Sequence, residues 1–580
     1  MTTIDWALLA VYMLALIAMS VFLGKGQENA EDYYVGGRNL PWWAVGLSTM
    51  ATQCSVVSFI SIPAFVALKE GGGLLWLQYE MSVPLAMVFI MVVLIPFFRK
   101  LELVSVYEYL EMRFDKRVRL LLSGVFLFAR GLGTGVGVYT TALVLQVCTG
   151  VDLWIIILFV GVITVIYDSI GGMAAVVWSD VVQLVVLFAG IFICIAYALD
   201  IAGGWDAAWA ALAAERKVGI STGTGFFDGA KAPFIGYLIG GFFLYVAYYG
   251  TDQSQTQREL SAPTLDDTKK SLMMNGFGRA PLTALYLVLG IAVGAAYLQL
   301  PELQKLVDGK FDNLVPYFVV HHLPTGIRAI LISAMLAAGM SSLDSSLNSL
   351  SASTMQDFIL TRRKFTDEEQ LKLSKTVTVI WGVVITVFAF FVGNIADTVL
   401  EAVNKIGSAF NGPILATFVW GVLTKRVNTL GVFVGVALGV IGNLVMWLGD
   451  VDIHFMWWNM IGFVTASFGM FAFSNVKKLS PFAVRASLFV LGLALVAAVL
   501  LVVDSRWLRR LLVFVVVAVL GWLGKAEGDI AEDNAKHLDD VTLNAADIRE
   551  NERGWMVPYS ALIAFSGLII ATAFVIGVRS

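Results

Sequence analysis

Apolar stretches long enough to cross a lipid bilayer recur along this chain of 580 residues. A helix needs about 20 consecutive apolar residues to span the hydrocarbon core, and about sixteen stretches approach that length. Only 14% of the residues are charged, whereas soluble domains have about 25%. The sequence therefore predicts an all-α polytopic membrane protein that lies in the lipid bilayer.

Basic residues cluster in alternate loops between the apolar stretches. The main clusters lie at 99–100, 113–119, 258–270, 362–364 and 425–426. Loops rich in Lys and Arg usually stay in the cytoplasm, so this alternation predicts a multi-pass protein of the plasma (inner) membrane with its amino terminus outside. Arg506, Arg509 and Arg510 fall on the predicted outer side and are the exception.

A run of small and polar residues interrupts one of these stretches. On a helix Ala338, Ser341, Ser342 and Ser345 share one face, and Asp344 lies on its flank. Such oxygens suit a small hard cation, sodium in particular, although small residues also allow close helix packing. A carboxylate in a membrane helix costs roughly 2.5 to 3.5 kcal/mol to insert, so Asp344 favours the functional interpretation.

A second polar run, from Ser48 to Ser58, lies in the middle of the stretch at 43–68. Its small, hydroxyl-bearing and β-branched residues disfavour a continuous helix, and a break there would leave backbone carbonyls at mid-membrane depth. Broken helices of this kind are typical of secondary transporters. The same side chains could instead hydrogen-bond between neighbouring helices.

Other polar groups stand within or beside apolar stretches. Arg130 presents a planar guanidinium that matches a carboxylate, either of an anionic substrate or of a protein acid. Asp180 begins the sixth stretch. Tyr248 and Tyr249 could form an aromatic gate or be ordinary interfacial aromatic residues.

Several function classes have no support in the sequence. A phosphate-binding loop of the Gx4GK[ST] type is absent, so we do not expect ATP as the energy source. An HExxH motif and a plausible Ser–His pair are also absent from the apolar stretches, and an enzyme is not expected. A net charge of -4 gives no reason to expect nucleic acid as a partner.

Five segments resemble the solute:sodium symporter family, and they occur in the order expected for it. The segments are Val104–Phe114, Gly171–Gln183, Gly250–Leu260, Ser341–Asn348 and Lys405–Lys425. The resemblance runs from about residue 4 to 475. It implies a LeuT-like fold, in which two inverted repeats of five helices hold the binding site between them near the membrane midplane.

The resemblance also implies a division of the chain. The parts are 1–42 (one extra amino-terminal helix and a linker), 43–203 (the first repeat), 204–231 (an extracellular loop), 232–426 (the second repeat), 427–524 (additional carboxy-terminal helices), 525–555 (an acidic cytoplasmic linker) and 556–580 (the last helix).

Sodium-site residues follow by motif match. The family's main sodium site uses carbonyls at the break of the first core helix, with a carbonyl and two hydroxyls of the eighth. The matching residues are Ala51, Cys54, Ala338, Ser341 and Ser342. Some members have a second sodium site, which Asp180 and Ser345 match, with Asp344 beside them.

Substrate contacts in the family come from the broken helix and its neighbours. The matching residues are Thr52, Gln53, Ser55, Ser58, Gln78, Arg130 and Tyr248. Sialic acid transporters resemble this pattern in having an Arg that meets the sugar carboxylate. The resemblance thus implies sodium-coupled import of a small organic solute by alternating access.

A carboxylate-bearing solute, of the sialic acid or the monocarboxylate and vitamin type, is the first expectation. A neutral sugar or proline is the alternative within the family. A sodium-permeable channel and a transporter-like sensor are the alternatives from other classes.

Overall fold

A computed structural model describes residues 1–229, 233–392, 396–449, 451–474, 541–542, 551–552 and 554–579. Within these ranges ten helices are long and apolar enough to cross a membrane, or eleven when one bent pair counts as a span. Two strands of two residues each, β1 (Ile220–Ser221) and β2 (Val578–Arg579), pair in parallel. The prediction of an all-α polytopic membrane protein is confirmed.

The α-helices of the first half, in chain order, are α1 (Thr3–Leu23), α2 (Ala30–Val35), α3 (Trp42–Gln53), α4 (Val56–Ala67), α5 (Val83–Phe89), α6 (Ile95–Lys100), α7 (Glu108–Arg113), α8 (Lys116–Thr149), α9 (Leu153–Ala202) and α10 (Trp205–Ala211). Those of the second half are α11 (Gly241–Gly250), α12 (Gln253–Glu259), α13 (Leu265–Gln299), α14 (Pro301–Val307), α15 (Leu314–His322), α16 (Ile327–Ser353), α17 (Asp367–Val392), α18 (Ala396–Leu423), α19 (Thr429–Leu448), α20 (Met456–Ser474) and α21 (Met556–Ile576).

Short irregular turns complete these helices. Turns of 3-10 helix lie at Gly36–Arg38, Leu74–Glu80, Ala214–Arg216 and Phe311–Asn313, and π-helical turns at Ile90–Leu94, Gly236–Gly240 and Thr354–Ile359. The turn at Leu74–Glu80 opens the span that continues through α5 and α6.

The polar stretch at 43–68 is broken, as the sequence predicts. α3 ends at Gln53, α4 begins at Val56, and the two helices are bent by 58°. Ser55 caps the second segment, since its hydroxyl accepts the backbone N–H of Ser58 at 3.4 Å. The break leaves backbone carbonyls inside the bundle without a following helical turn to bond them.

Residues 153–202 form one hydrogen-bonded run of 50 residues, which is enough for two membrane-spanning segments. A straight helix of 50 residues would be about 75 Å long, more than twice the thickness of the hydrocarbon core. Gly172 has φ 56° and ψ -152°, which is not helical, and the run changes direction there. Two membrane-spanning segments therefore meet at a single glycine.

The serine-rich helix α16 lies at the centre of the bundle. It contacts α1, α3, α8, α9 and α17. The most apolar part of this span is 83% buried inside the bundle, compared with 22% for α1. Because α16 also packs on the broken pair, its polar face meets the break in the bundle interior.

The last helix, α21, packs against α5 and α13. Near its start, Lys269 of α13 donates to the carbonyl of Asn551 at 2.7 Å and pairs with Glu552 at 3.0 Å. Beyond its end, β2 pairs with β1. The helices predicted within 475–524 and most of the predicted linker at 525–555 lie outside the described residues.

A second interruption separates α11 from α12 at Thr251 and Asp252. It stands near the start of the predicted second repeat, as the α3–α4 break stands near the start of the first. The correspondence supports the repeat boundaries 43–203 and 232–426, which stay a prediction.

Candidate functional site

The serine run of α16 faces the break between α3 and α4. The Ser341 hydroxyl lies 3.2 Å from the Ala51 carbonyl oxygen and 3.3 Å from that of Ala338. The Ser342 hydroxyl donates to the Thr52 carbonyl at 2.9 Å. Three carbonyls and two hydroxyls, from two different spans, thus meet in one small volume.

Cys54, which we predicted as a further carbonyl ligand, is fully buried at the end of α3. Its backbone N–H donates to the Ala51 carbonyl at 2.9 Å, and its thiol donates to the Met50 carbonyl at 3.1 Å. These two bonds fix Cys54 to the last turn of α3. The Cys54 side chain also interacts with Tyr286 of α13, and none of its described hydrogen bonds reaches α16.

The donor set at the break fits a monovalent hard cation. All of the groups are neutral oxygens, which sodium accepts, and the two serine hydroxyls can turn their hydrogens away from an ion. In the described part of the chain no group of three or more His, Cys, Asp or Glu residues could hold a metal ion. The chemistry therefore favours sodium over a transition metal.

The guanidinium of Arg258 lies in the middle of the predicted second sodium site. It donates to the hydroxyls of Thr52 and Ser345 and, at 2.9 Å, to the Ser48 carbonyl. It also lies 3.7 Å from a carboxylate oxygen of Asp180, and both side chains are fully buried. The basic cluster at 258–270 predicts a loop position for Arg258, and this prediction is wrong because α12 directs the side chain into the bundle.

Asp344 has a full set of local donors. It accepts the Tyr167 hydroxyl at 2.7 Å, the Ser179 hydroxyl at 3.3 Å and the Ser345 backbone N–H at 2.6 Å. These bonds tie α16 to α9. Asp344 thus has a structural role in this conformation, next to Ser345.

Arg130 and Tyr248, both predicted to bind substrate, lie together. The guanidinium carbon of Arg130 is 6.0 Å from the centre of the Tyr248 ring. One nitrogen of Arg130 donates to the Ser346 hydroxyl at 3.0 Å, and another lies 3.6 Å from a carboxylate oxygen of Asp252. Ser346 stands one helical turn after Ser342, so this group adjoins the break.

The other predicted substrate residues have different surroundings. Gln53 is half-buried at the last position of α3, and the hydroxyls of Ser55 and Ser58 lie 3.5 Å apart at the start of α4. Gln78 is fully buried, and its side-chain oxygen accepts the backbone N–H of Ser221 in β1 at 3.1 Å. Gln78 therefore binds the strand pair, and the described bonds do not bring it to the break.

Sequence reasoning missed a second buried cation beside the break. Arg279 of α13 pairs with Glu80 at 3.0 Å, and the same carboxylate oxygen accepts the Thr283 hydroxyl at 2.7 Å. The preceding residue, Gly278, lies against Met50 of α3. The signal in the sequence is an arginine inside an apolar stretch.

Two polar atoms of this ion pair have no hydrogen-bond partner among the described residues, Oε2 of Glu80 and Nε of Arg279. Beside them the hydroxyls of Tyr249 and Tyr286 interact with Asn275 and Cys54. Buried polar groups are normally bonded, so the two free atoms are available to a polar ligand or to water.

Comparisons with known proteins agree with this architecture. A sodium/sialic acid symporter, NanT of Aliivibrio fischeri, is 30% identical over 467 residues, which cover 79% of this chain and 90% of NanT. The sodium-coupled monocarboxylate transporter 1 of Xenopus laevis is 30% identical over 458 residues, 77% of this chain and 72% of that protein.

A solved structure is also similar. It is the substrate-bound outward-open state of a Na+-coupled sialic acid symporter, with a TM-score of 0.73 and 27% identity over 82% of this chain and 98% of that one. The predicted LeuT-like fold is confirmed. These relatives are transporters and not enzymes, as expected for this chain.

The sequence model of the Sodium:solute symporter family matches residues 33–439, which is more than half of the chain. Together with the break and the serine run that faces it, this match shows that the chain belongs to the sodium:solute symporter family.

Proposed function

We propose that this protein imports a small carboxylate-bearing solute together with sodium, by alternating access. The observation that carries the sodium coupling is the contact of Ser341 and Ser342 with the carbonyls of Ala51 and Thr52. An ion at this point would bind two spans at once. Its presence would therefore favour the conformation in which α3, α4 and α16 are held together.

The coupling between ion and solute is reciprocal. Thr52 supplies a carbonyl to the sodium group and a hydroxyl to the Arg258 group, so it joins the ion site to the polar interior. An ion that orders this residue would pre-form the solute site, and bound solute would raise sodium affinity by the same factor. At about 100 mV each imported charge supplies about 2.3 kcal/mol, so ATP is not needed.

Arg130 is the proposed partner of the solute carboxylate. Its distance of 3.6 Å from Asp252 is long for a bidentate pair, and its side chain is 19% exposed. A substrate carboxylate could replace Asp252 at this guanidinium. Arg279, in contrast, is held at 3.0 Å by Glu80, whose side chain is 1% exposed, and is better placed to orient hydroxyl or amide groups.

A neutral sugar or proline is the second candidate. The group around Glu80, Arg279 and Thr283 favours the sugar, because a carboxylate and a guanidinium together can bond several hydroxyls. A second sodium ion at Asp180, Asp344 and Ser345 is also a proposal, and it would require Arg258 to move.

We further propose the plasma membrane as the location, with the amino terminus outside and no nucleic-acid partner. Two contacts support the proposal that the amino terminus, the start of α16, β1 and β2 lie on the same, outer face of the protein. Asp5 near the amino terminus accepts the backbone N–H of Gly326 at 2.9 Å, just before α16. β1, in the predicted extracellular loop, pairs with β2 after α21.

The test uses purified full-length protein in proteoliposomes with an imposed sodium gradient. We expect sodium-dependent uptake of a carboxylate solute, with sialic acid as the first probe. Arg130→Ala should weaken its apparent affinity at least about 10-fold, or about 1.4 kcal/mol. The carboxamide analogue of the same solute should bind both proteins alike.

Arg117→Ala, near the start of the same helix α8, is the matched control and should transport normally. Uptake that does not depend on sodium would overturn the coupling. If only neutral hexoses are transported, the role of Arg130 is wrong and the Glu80–Arg279 group becomes the recognition site.

A further inference from the structure

The oxygens predicted for a second sodium ion meet in one place. The hydroxyl oxygens of Thr52 and Ser345 lie 3.2 Å apart, and Asp180 accepts the Ser48 hydroxyl at 2.6 Å. Asp344 interacts electrostatically with Asp180, and its carboxylate lies 3.2 Å from the Ser345 hydroxyl. Helices α3, α9 and α16 thus each contribute to one polar cluster inside the bundle.

A positive charge of the chain already lies in this cluster. One terminal nitrogen of Arg258 donates to the Ser48 carbonyl at 2.9 Å and to the Thr52 hydroxyl. The other donates to the Ser345 hydroxyl and lies 3.7 Å from the Asp180 carboxylate. A sodium ion bound by Asp180 and Ser345 would have to stand where this nitrogen stands. The guanidinium and a second sodium ion therefore exclude each other.

The charge of Arg258 strengthens this exclusion. Its guanidinium is fully buried, and so are the carboxylates of Asp180 and Asp344, both of which it attracts. Away from water, a sodium ion and a guanidinium at close range repel each other with little screening. An arginine also keeps its proton in proteins, so this charge is permanent. Arg258 thus gives the two acids the positive charge that a second sodium ion would bring.

The neighbours of Arg258 on α12 hold it in this place. Gln257 donates to the Tyr34 carbonyl at 2.6 Å, and Glu259 accepts the Thr49 hydroxyl at 2.5 Å. Every residue of α12 is buried. Because the guanidinium has no solvent to turn into, its departure from the cluster would require α12 to shift.

The ion site at the break is compatible with this position of Arg258. Ser341 and Ser342 contact the backbone carbonyls of Ala51 and Thr52, whereas Arg258 bonds to the Thr52 hydroxyl. None of the hydrogen bonds described for Arg258 uses an oxygen of the group at the break. The guanidinium and one sodium ion at the break can therefore be present together.

We propose that Arg258 is a built-in cation that takes the place of a second sodium ion. While α12 lies as the structure shows, the protein then binds one sodium ion, at the break. The inference rests on the proposed sodium coupling at the break. It also sets the condition for a second ion at Asp180, Asp344 and Ser345, which would bind only after Arg258 has been displaced. Arg258 would thus determine how many sodium ions accompany one solute.

Equilibrium binding of radioactive sodium to the purified full-length protein in lipid nanodiscs counts the ions. We expect the wild-type chain to bind one ion and Arg258→Ala to bind two, because the substitution frees the oxygens of the cluster. Arg258→Lys keeps a positive charge at this position and should bind one. Arg362→Ala, at an exposed position before α17, is the matched control and should bind one.

Two further variants locate the additional ion. Asp180→Asn alone should bind one ion like the wild type, and combined with Arg258→Ala it should bind one instead of two. Ser342→Ala combined with Arg258→Ala should weaken the ion at the break at least about 10-fold and leave the additional ion in place.

The outcomes separate the two proposals. If the wild type binds two ions, or if Arg258→Ala binds only as many as the wild type, Arg258 does not fill the second site and the inference is overturned. If the wild type binds none, the proposed coupling at the break is wrong, and Arg258→Ala should still gain one ion.

Should Arg258→Ala fail to fold, Arg258→Gln replaces it, because the amide keeps hydrogen-bond donors at this position without the charge. We expect that variant to bind one ion more than the wild type, and an unchanged number would overturn the inference.

Discussion

At the scale of single residues, the ion site at the break consists of neutral groups. Ser341 and Ser342 bond to the backbone carbonyls of Ala51 and Thr52 at the end of α3. A carbonyl cannot be removed by substitution, whereas a hydroxyl can. The two serines are therefore the points at which mutagenesis can reach this site.

Ser342→Ala should raise the sodium concentration for half-maximal thermal stabilisation at least about 10-fold, because a hydrogen bond or ligand to a charged group contributes about 1.5 to 3 kcal/mol. Ser349→Ala is the matched control, since that hydroxyl bonds to the Ser346 carbonyl of its own helix at 2.9 Å. Equal sodium dependence of the two variants would contradict the assignment of Ser342.

Residues differ in how far the sequence reveals them. The serine face of α16 and the break followed from spacing and residue type, because helical periodicity and the cost of buried polar groups are local properties. The buried positions of Arg258 and Arg279 could not be predicted in this way. A basic side chain in a loop or an apolar stretch can point either into the bundle or out of it. Only the packing of α12 and α13 shows that both lie in the interior.

At the scale of elements, the direction of α9 depends on Gly172. Its φ of 56° with ψ of -152° is open almost only to glycine. A β-carbon at this position would lie 2.5 Å from the carbonyl oxygen of Tyr33. Sequence periodicity on both sides is helical, so the turn could be placed only approximately without the structure.

Gly172→Ala should therefore cost at least about 2 kcal/mol, from backbone strain and from the displaced α2 segment. The measurement is the melting temperature of the purified protein. Gly137→Ala, at an exposed helical position with open space around it, should instead be neutral or stabilising by up to about 1 kcal/mol. Similar melting temperatures for the two variants would show that Gly172 does not set the turn.

The loop before α20 contains a histidine that is held neutral. Burial lowers the pKa of His454 from 6.5 to about 4, against the attraction of Asp228. Its Nδ1 accepts the backbone N–H of Met456 at 3.4 Å, which requires the deprotonated nitrogen. The folded state thus binds fewer protons here than the unfolded state does.

Stability from His454 should be present above pH 6.5 and should be lost as the pH falls towards 4. Between pH 7 and pH 5 the expected loss is about 1 to 2 kcal/mol, visible as a lower melting temperature. His454→Gln should remove that part of the pH dependence, and His321→Gln, at an exposed position, should leave it intact. A wild-type pH profile retained by His454→Gln would refute this account.

At the scale of the whole molecule, the carboxy-terminal helix lies outside residues 33–439, which the family's sequence model matches. Motif resemblance could predict the inverted-repeat core, but it could not say where α21 packs. That placement depends on contacts between distant parts of the chain, such as the pair of Lys269 with Glu552. The rings of Trp555 and Tyr559 lie 5.3 and 5.8 Å from the same ammonium group.

Lys269→Ala should lower the free energy of unfolding by about 3 kcal/mol, because it leaves the mostly buried Glu552 carboxylate without its partner. Lys270→Ala is the control, since its pair with Asp267 is exposed and contributes about 1 kcal/mol or less. Combining Lys269→Ala with Glu552→Gln should recover part of the loss. Strict additivity of the two substitutions would show that the pair is not coupled.

The strand pair beyond α21 has a consequence for chimeras between family members. Gln78 is held by β1, and β1 is held by β2 at residues 578–579. Exchange of the carboxy-terminal segment with that of another symporter would replace this support. The position of Gln78 in such a hybrid protein would then depend on the introduced segment, even where every residue of the inverted repeats is retained.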